Sequence, residues 1–204
     1  MDGMKTIGLV GGVASGKSLV AKLFVEFGAG LLDADRTGHE VLAHDPEVRA
    51  ALVERWGPSI LASDGTIDRS AVAARVFGEG EPAAREREFL ENLLHPRIGA
   101  VLAEIKSQFV AAGQKAVVLD APLLLEAGWG PLCDVIVMVE ADRNTRLARA
   151  QQRGWNAAEF ARREASQWPV EKKRAAAHAS LANTGSSDEL RAAVCAIWNH
   201  TIAG

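Results

Sequence analysis

No apolar run in this 204-residue chain reaches the roughly 20 residues that a membrane-spanning helix requires, so no helical span is expected. The first apolar stretch carries a glycine-rich loop rather than a small-residue cleavage site, so no signal peptide is expected. Cysteine is scarce. Cys133 and Cys195 lack metal or redox spacing, which argues against a zinc ribbon or a dithiol redox centre. Cys133 stands before an apolar run and reads as a small buried residue. The five histidines include no pair with metal-site spacing, and no internal repeat or low-complexity tract is present. Together these absences predict a soluble cytoplasmic protein. The composition, 48% hydrophobic and 24% charged, is ordinary for a globular chain. The length fits one domain with inserted subdomains.

The net charge of −3 conceals an asymmetry. Residues 142–177 hold nine Lys/Arg against four Asp/Glu, or +5, leaving −8 for the rest. A short, concentrated positive segment suits a polyphosphate better than a long nucleic acid, which calls for a broader basic surface. No nucleic-acid or membrane partner is expected.

The densest signal is Gly11-Gly12-Val13-Ala14-Ser15-Gly16-Lys17-Ser18, a complete G-x-x-x-x-G-K-S loop. It follows a strand-like run (Ile7, Leu9, Val10) and precedes a helical pattern (Leu19, Val20, Leu23, Phe24). Glycines let backbone N–H groups curl around a phosphate. Lys17 can reach the β- and γ-phosphates, and the Ser18 hydroxyl can ligate Mg²⁺. The following helix adds its positive dipole end.

Strands are predicted at about Thr6–Val10, Ala29–Leu32, Lys115–Leu119, Asp134–Glu140 and Ser180–Ala182. Val117-Val118-Leu119 and Val135-Ile136-Val137-Met138-Val139 are apolar at every position, the mark of parallel strands covered on both faces. Alternation with helical patterns predicts a doubly wound α/β fold. Residues 36–113 are too long for one crossover. Their helical patterns, around Pro46–Trp56, Ser70–Phe77 and Pro82–Ala112, read as a helical insertion in which Pro96 starts or kinks a helix. Residues 154–177 form a second, basic insertion. Ligands of open α/β sheets bind beyond the carboxyl ends of the strands, where both insertions belong.

Several acids and bases follow the strands. Asp33 is the candidate general base or orienting group for an acceptor hydroxyl; Asp35 is either a helix cap or a substrate ligand. Asp120, ending a buried strand, sits where a Walker B acid holds Mg²⁺ directly or through water. Glu126 either faces substrate or stabilises the next helix start. Arg146, Arg149 and Arg153 share one helical face, and Arg149 is the candidate to stabilise charge on a transferring phosphoryl group. His95-Pro96-Arg97 and Asn183-Thr184-Gly185 say little alone. In context, Asn183 is placed to contact a nucleotide base.

Taken together these pieces resemble the dephospho-CoA kinase family. The resemblance rests on the loop, Leu32-Asp33-Ala34-Asp35, Asp68-Arg69, Leu93-Leu94-His95-Pro96-Arg97-Ile98, Leu119-Asp120-Ala121-Pro122-Leu123-Leu124-Leu125-Glu126, Arg149 with Arg153, and Asn183-Thr184-Gly185-Ser186. It implies a P-loop NTPase fold: a five-stranded parallel sheet flanked by helices, a helical acceptor-binding insertion and a small helical lid. By that resemblance the nucleotide core comprises residues 1–35, 114–145 and 178–204, the insertion 36–113 and the lid 146–177. It implies transfer of the ATP γ-phosphate to the ribose 3′-hydroxyl of dephospho-CoA with Mg²⁺. Asp33, Lys17 and Arg149 are then catalytic. Gly12, Val13, Ala14, Ser15, Gly16, Lys17, Ser18, Leu19 and Asn183 bind ATP. Asp35, His95, Arg97, Pro122, Leu123 and Glu126 bind the acceptor, and Ser18 and Asp120 hold the metal. The expected state is a monomer or weak homo-oligomer. The chain departs from the family's pattern at Ala14 (a frequent Gly), at Leu19 (commonly Thr), in a lid stretch one residue short at Arg153-Gly154-Trp155-Asn156, and at Ala177-His178, where Ala-Asp is usual. A GTPase switch is disfavoured, since no Asn-Lys-x-Asp occurs and Asp120-Ala121-Pro122-Leu123 lacks the switch glycine.

Overall fold

The computed structural model describes residues 3–78 and 80–203. Five strands, β1 (Lys5–Gly11), β2 (Gly30–Asp33), β3 (Ala116–Asp120), β4 (Val135–Glu140) and β5 (Ala179–Ala182), form one parallel sheet in the order β2-β3-β1-β4-β5. Each strand lies within two residues of its predicted position. The helices are α1 (Lys17–Glu26), α2 (Ala34–His44), α3 (Pro46–Trp56), α4 (Arg69–Val76), α5 (Glu81–Ala111), α6 (Arg143–Gln152), α7 (Ala157–Ala165), α8 (Val170–Ala175) and α9 (Ser187–Ala203).

The chain divides into two compact units. One comprises residues 1–33 and 105–204, the other Ala34–Glu104. In the first, the sheet supplies the core. Ile7, Leu9, Val118, Val137 and Val139 are almost fully enclosed, joined by Val20 and Phe24 of α1 and by Leu190 and Val194 of α9. Each such side chain contributes about 1.5–3 kcal/mol by leaving water. The sequence closes α9 at its start with a capping box: Ser186 Oγ accepts from the Glu189 N–H, and Glu189 returns to the Ser186 N–H at 2.8 Å. His178 accounts for one departure from the family pattern. Its ring Nδ1 accepts the Ile136 N–H at 2.9 Å while its backbone N–H donates to the Ile136 carbonyl at 2.8 Å, so ring and backbone together continue the β4–β5 ladder.

The helical unit follows its capping residues. Asp45 accepts from Glu47 and Val48 N–H groups, with Pro46 at the first helical position of α3. Asp68 caps α4 through Ser70 and Ala71, and the Ser70 hydroxyl and N–H hold its carboxyl below the usual range. Val48, Leu52 and Ile60 are enclosed. Trp56 stands edge-on to Phe89 at 5.7 Å and donates to Glu86, which Arg55 also holds with two bonds. Two readings are narrowed here. Of the alternatives for Pro96, starting or kinking a helix, the start is excluded, since it lies inside the continuous 31-residue α5; a proline there forfeits one backbone hydrogen bond. Asp35 occupies the first turn of α2, not its cap position, because the helix begins at Ala34 directly after the strand.

Cys133 is half-buried just before β4, its thiol directed at the Trp129 carbonyl. Burial first, and the Asp134 charge second, push the thiol up to about 11. At pH 8 its thiolate fraction is then about 0.1%, against roughly a quarter for free cysteine. In a Cys195→Ser variant, iodoacetamide alkylation at pH 8 is expected to be about a hundredfold slower than that of free cysteine. Alkylation at the free-thiol rate contradicts this environment.

Candidate active site

The register of the sheet assembles the site. In the β2–β3 pairing Asp33 stands beside Asp120, and in the β1–β3 pairing Asp120 stands beside Leu9, two residues before Gly11. Parallel strands end on one edge, so both acids reach the edge where β1 releases the phosphate loop.

The loop itself is tight. Gly16 has φ +96°, and a Cβ there would strike the Asn183 carboxamide. Ser15 N–H bonds the Gly12 carbonyl at 3.1 Å, while the buried Ser15 Oγ has no hydrogen-bond partner. A buried hydroxyl without a partner is costly and fits a loop shaped to receive a polar ligand. Ala14 has φ +59°, the one non-glycine residue in the left-handed region among those described; that conformation explains why glycine is frequent there. Leu19, in the first turn of α1, is 49% exposed.

Three residues brace the loop from behind. Asn183, buried, donates Nδ2–H to the Ser15 carbonyl at 2.8 Å. Arg149 donates to the carbonyls of Ser15 (3.2 Å) and Asn183 (2.7 Å). Arg146, only 5% exposed, donates to the Val13 and Ala141 carbonyls and pairs with Glu164 at 2.8 Å. Arg153 forms the C-cap of α6. Phe160 of α7 packs with Ala150 against Val13 and Ala14, with Trp155 at its margin under Arg163. The segment that reads as a basic insertion therefore has its own apolar attachment to the loop. Two adjoining cavities of about 360 and 460 Å³ lie beside Gly12, both lined by Ala141, Asp142, Arg146, Val170 and Arg174.

Lys17 donates to the Gly11 carbonyl at 3.3 Å. Burial, and next the Lys173 ammonium, pull it down to about 8 against the upward pull of Asp120 and Glu126. Lys173 is a buried cation of this unit that the sequence does not mark. Its side chain is 2% exposed and pairs with Glu126 at 2.9 Å, and Glu126 also accepts the Trp168 N–H at 2.8 Å. In the sequence it is one of three consecutive cations, Lys172-Lys173-Arg174, and nothing in that string singles it out. Breaking such a pair on one side costs about 3–5 kcal/mol. Pro122 is exposed and Leu123 half-buried in the turn after β3.

Asp35, His95 and Arg97 belong to the helical unit. His95 is half-buried. Arg97 donates to Glu47 at 2.9 Å and to the Leu93 carbonyl, and lies 3.6 Å from Asp45, so it ties α5 to the start of α3. Among the described residues no cluster of three or more His, Cys, Asp or Glu is poised to cage a metal. One hydroxyl (Ser18) and one carboxylate (Asp120) are instead the sparse set that suits Mg²⁺, which retains waters and takes substrate phosphate oxygens.

A parallel 2-3-1-4-5 sheet, a G-K-S loop at the end of its central strand and an acid on the neighbouring strand define a P-loop kinase. The family model described as dephospho-CoA kinase matches residues 5–189. A dephospho-CoA kinase of Geobacillus kaustophilus is 36% identical over 94% of each chain. One of Mycolicibacterium paratuberculosis is 41% identical over 98% of this chain but only 48% of its own length, so the chain spans about half of that relative. A crystal structure titled TT1252, from Thermus thermophilus, superposes with a TM-score of 0.81 at 31% identity, covering 97% of both chains. The chain belongs to the dephospho-CoA kinase family.

Gly16→Ala is expected to weaken ATP binding at least about tenfold, since the loop must give up its left-handed turn and displace Asn183. Titration calorimetry checks this. Wild-type affinity in that variant would mean that the loop accommodates the methyl group without moving.

Proposed function

We propose that this chain transfers the γ-phosphate of ATP to the ribose 3′-hydroxyl of dephospho-CoA, releasing ADP and CoA, the final step of coenzyme A biosynthesis. Family membership supports the acceptor and the reaction class. The observation that carries the residue roles is the register that sets Asp33, Asp120 and the phosphate loop on one sheet edge.

The backbone of Gly12 to Ser18, with Leu19 opening the helix behind it, holds the triphosphate. Lys17 places its ammonium on the β- and γ-phosphates. Asn183 and Arg149 keep the loop in shape through the Ser15 carbonyl, and Arg149 is the group proposed to turn toward charge building on the γ-phosphoryl oxygens. Ser18 and Asp120 would hold Mg²⁺, which supplies neutralisation of the phosphate oxygens. Asp33 takes the proton of the 3′-hydroxyl as its oxygen bonds to the γ-phosphorus and the bond to the ADP oxygen breaks. Asp35, His95, Arg97, Pro122, Leu123 and Glu126 are proposed to bind dephospho-CoA. Residues 36–113 are proposed as the acceptor-binding insertion and 146–177 as the lid, which excludes water from the reacting phosphate. We further place the protein in the cytoplasm as a monomer or weak homo-oligomer; none of the described helices is long and apolar enough to cross a membrane.

Incubation with Mg²⁺ and ATP is expected to yield CoA, identified by mass, when dephospho-CoA is present, and little ADP when it is absent. ATP binding without CoA formation would retain the loop and remove the acceptor. Asp33→Asn is expected to lower kcat by about 10²–10⁴ with ATP affinity nearly unchanged. Turnover near wild type in that variant would remove Asp33 as the base.

A further inference from the structure

Every nitrogen of the buried Arg146 guanidinium has a partner. Nε donates to the Ala141 carbonyl at 3.2 Å, Nη1 donates to the Val13 carbonyl at 3.3 Å, and Nη2 meets Glu164 at 2.8 Å. The Phe160 ring lies 5.7 Å from the guanidinium carbon and packs with Val13 and Ala14. The group lies so close to the loop that a Cβ on Gly12 would stand 2.7 Å from Nη1. Glu164 also holds Arg143 at 3.0 Å, so it keeps a counter-charge when Arg146 is replaced.

The Val13 carbonyl belongs to the peptide that carries the Ala14 N–H. A trans peptide is planar, with C=O and N–H opposed, and none of the described peptides is cis. A carbonyl turned outward to α6 therefore turns the Ala14 N–H to the opposite side, around which the loop curls. Ala14 itself is left-handed at φ +59°, a conformation that a residue with a Cβ keeps only when its surroundings hold it. The Ser15–Gly16 peptide obeys the same logic with a different clamp. Asn183 and Arg149 hold the Ser15 carbonyl at 2.8 and 3.2 Å, which turns the Gly16 N–H inward. The two inward donors are thus set by separate side chains.

We propose that Arg146 is a positioning residue for nucleotide binding: by holding the Val13 carbonyl outward it presents the Ala14 N–H to a phosphate oxygen. This rests on the reading that the backbone of Gly12 to Ser18 holds the triphosphate. It assigns the Arg146 side chain no contact with substrate.

The test is Mg-ATP titration, without acceptor, of the wild type, Arg146→Met and Arg146→Gln, read by calorimetry and by amide NMR. Circular dichroism and gel filtration select the folded proteins. A glutamine carboxamide nitrogen falls at the place of Nε, so that variant keeps a donor for Ala141, loses the reach to Val13, and serves if the methionine variant does not fold. Either variant is expected to bind ATP about tenfold or more weakly, the worth of one hydrogen bond to a charged group. At saturation, the wild-type Ala14 and Gly16 amide protons both move downfield. In the variants the Ala14 shift is lost and the Gly16 shift remains. Loss of positive field alone weakens binding but leaves both shifts, and general loosening of the loop diminishes both. Either pattern would overturn the proposal, as would affinity within about twofold of wild type. Failure of the wild type to bind ATP would remove the underlying reading instead.

Discussion

A lysine ammonium must be kept half-buried beside other cations, and much of the nucleotide unit is arranged around that requirement. Lys17 stands among Lys173, Arg146, Asp120 and Glu126, and burial with cationic neighbours weakens its hold on a proton. Such crowding is tolerated because each surrounding cation has its own assigned acid or carbonyl. Arg146 has Glu164 and the Val13 carbonyl, Lys173 has Glu126, and Arg149 has the carbonyls of Ser15 and Asn183. An incoming polyphosphate then meets a positive field whose supports are in place before it arrives, so little reorganisation accompanies its neutralisation.

The parallel sheet makes this arrangement possible. Strands apolar on both faces need helices on each side, and those helices leave the carboxyl ends of the strands as the open edge. The loop, the two strand-end acids and the Asn183 turn are therefore brought together by topology. α6 to α8 are fixed to the same edge by Phe160 against Val13 and Ala14 and by the Glu126–Lys173 pair. One attachment is apolar and the other ionic. Only the ionic one depends on charge.

Much of this was legible in the chain. The five strands appear as short apolar runs. The phosphate loop is complete in eight consecutive residues. Where the reading stopped short, the cause is physical. Pro96 could start a helix or kink one, since a proline lacks the backbone donor that an interior turn uses; it lies inside the 31-residue α5. Of the two readings of Asp35, cap or substrate ligand, the cap falls; spacing alone does not say whether β2 ends one residue earlier or later. Asn183 reads as a base contact; that its carboxamide also donates to the Ser15 carbonyl has no signal in the sequence. Lys173 was indistinguishable from Lys172 and Arg174, since a string of cations on a six-residue helix has no periodicity strong enough to mark the buried one.

The sequence by itself determined the class of fold, the phosphate loop and the family, because these rest on local signals: hydrophobic period, glycine placement and contiguous motifs. The tertiary structure alone decided which charges are matched. Asp33 meets Asp120 through a register between β2 and β3, strands separated by more than 80 residues of chain. Glu126 meets Lys173 across 47 positions. Pairing over such separations depends on how strands align and which helix face is covered, and a single sequence carries no local record of either.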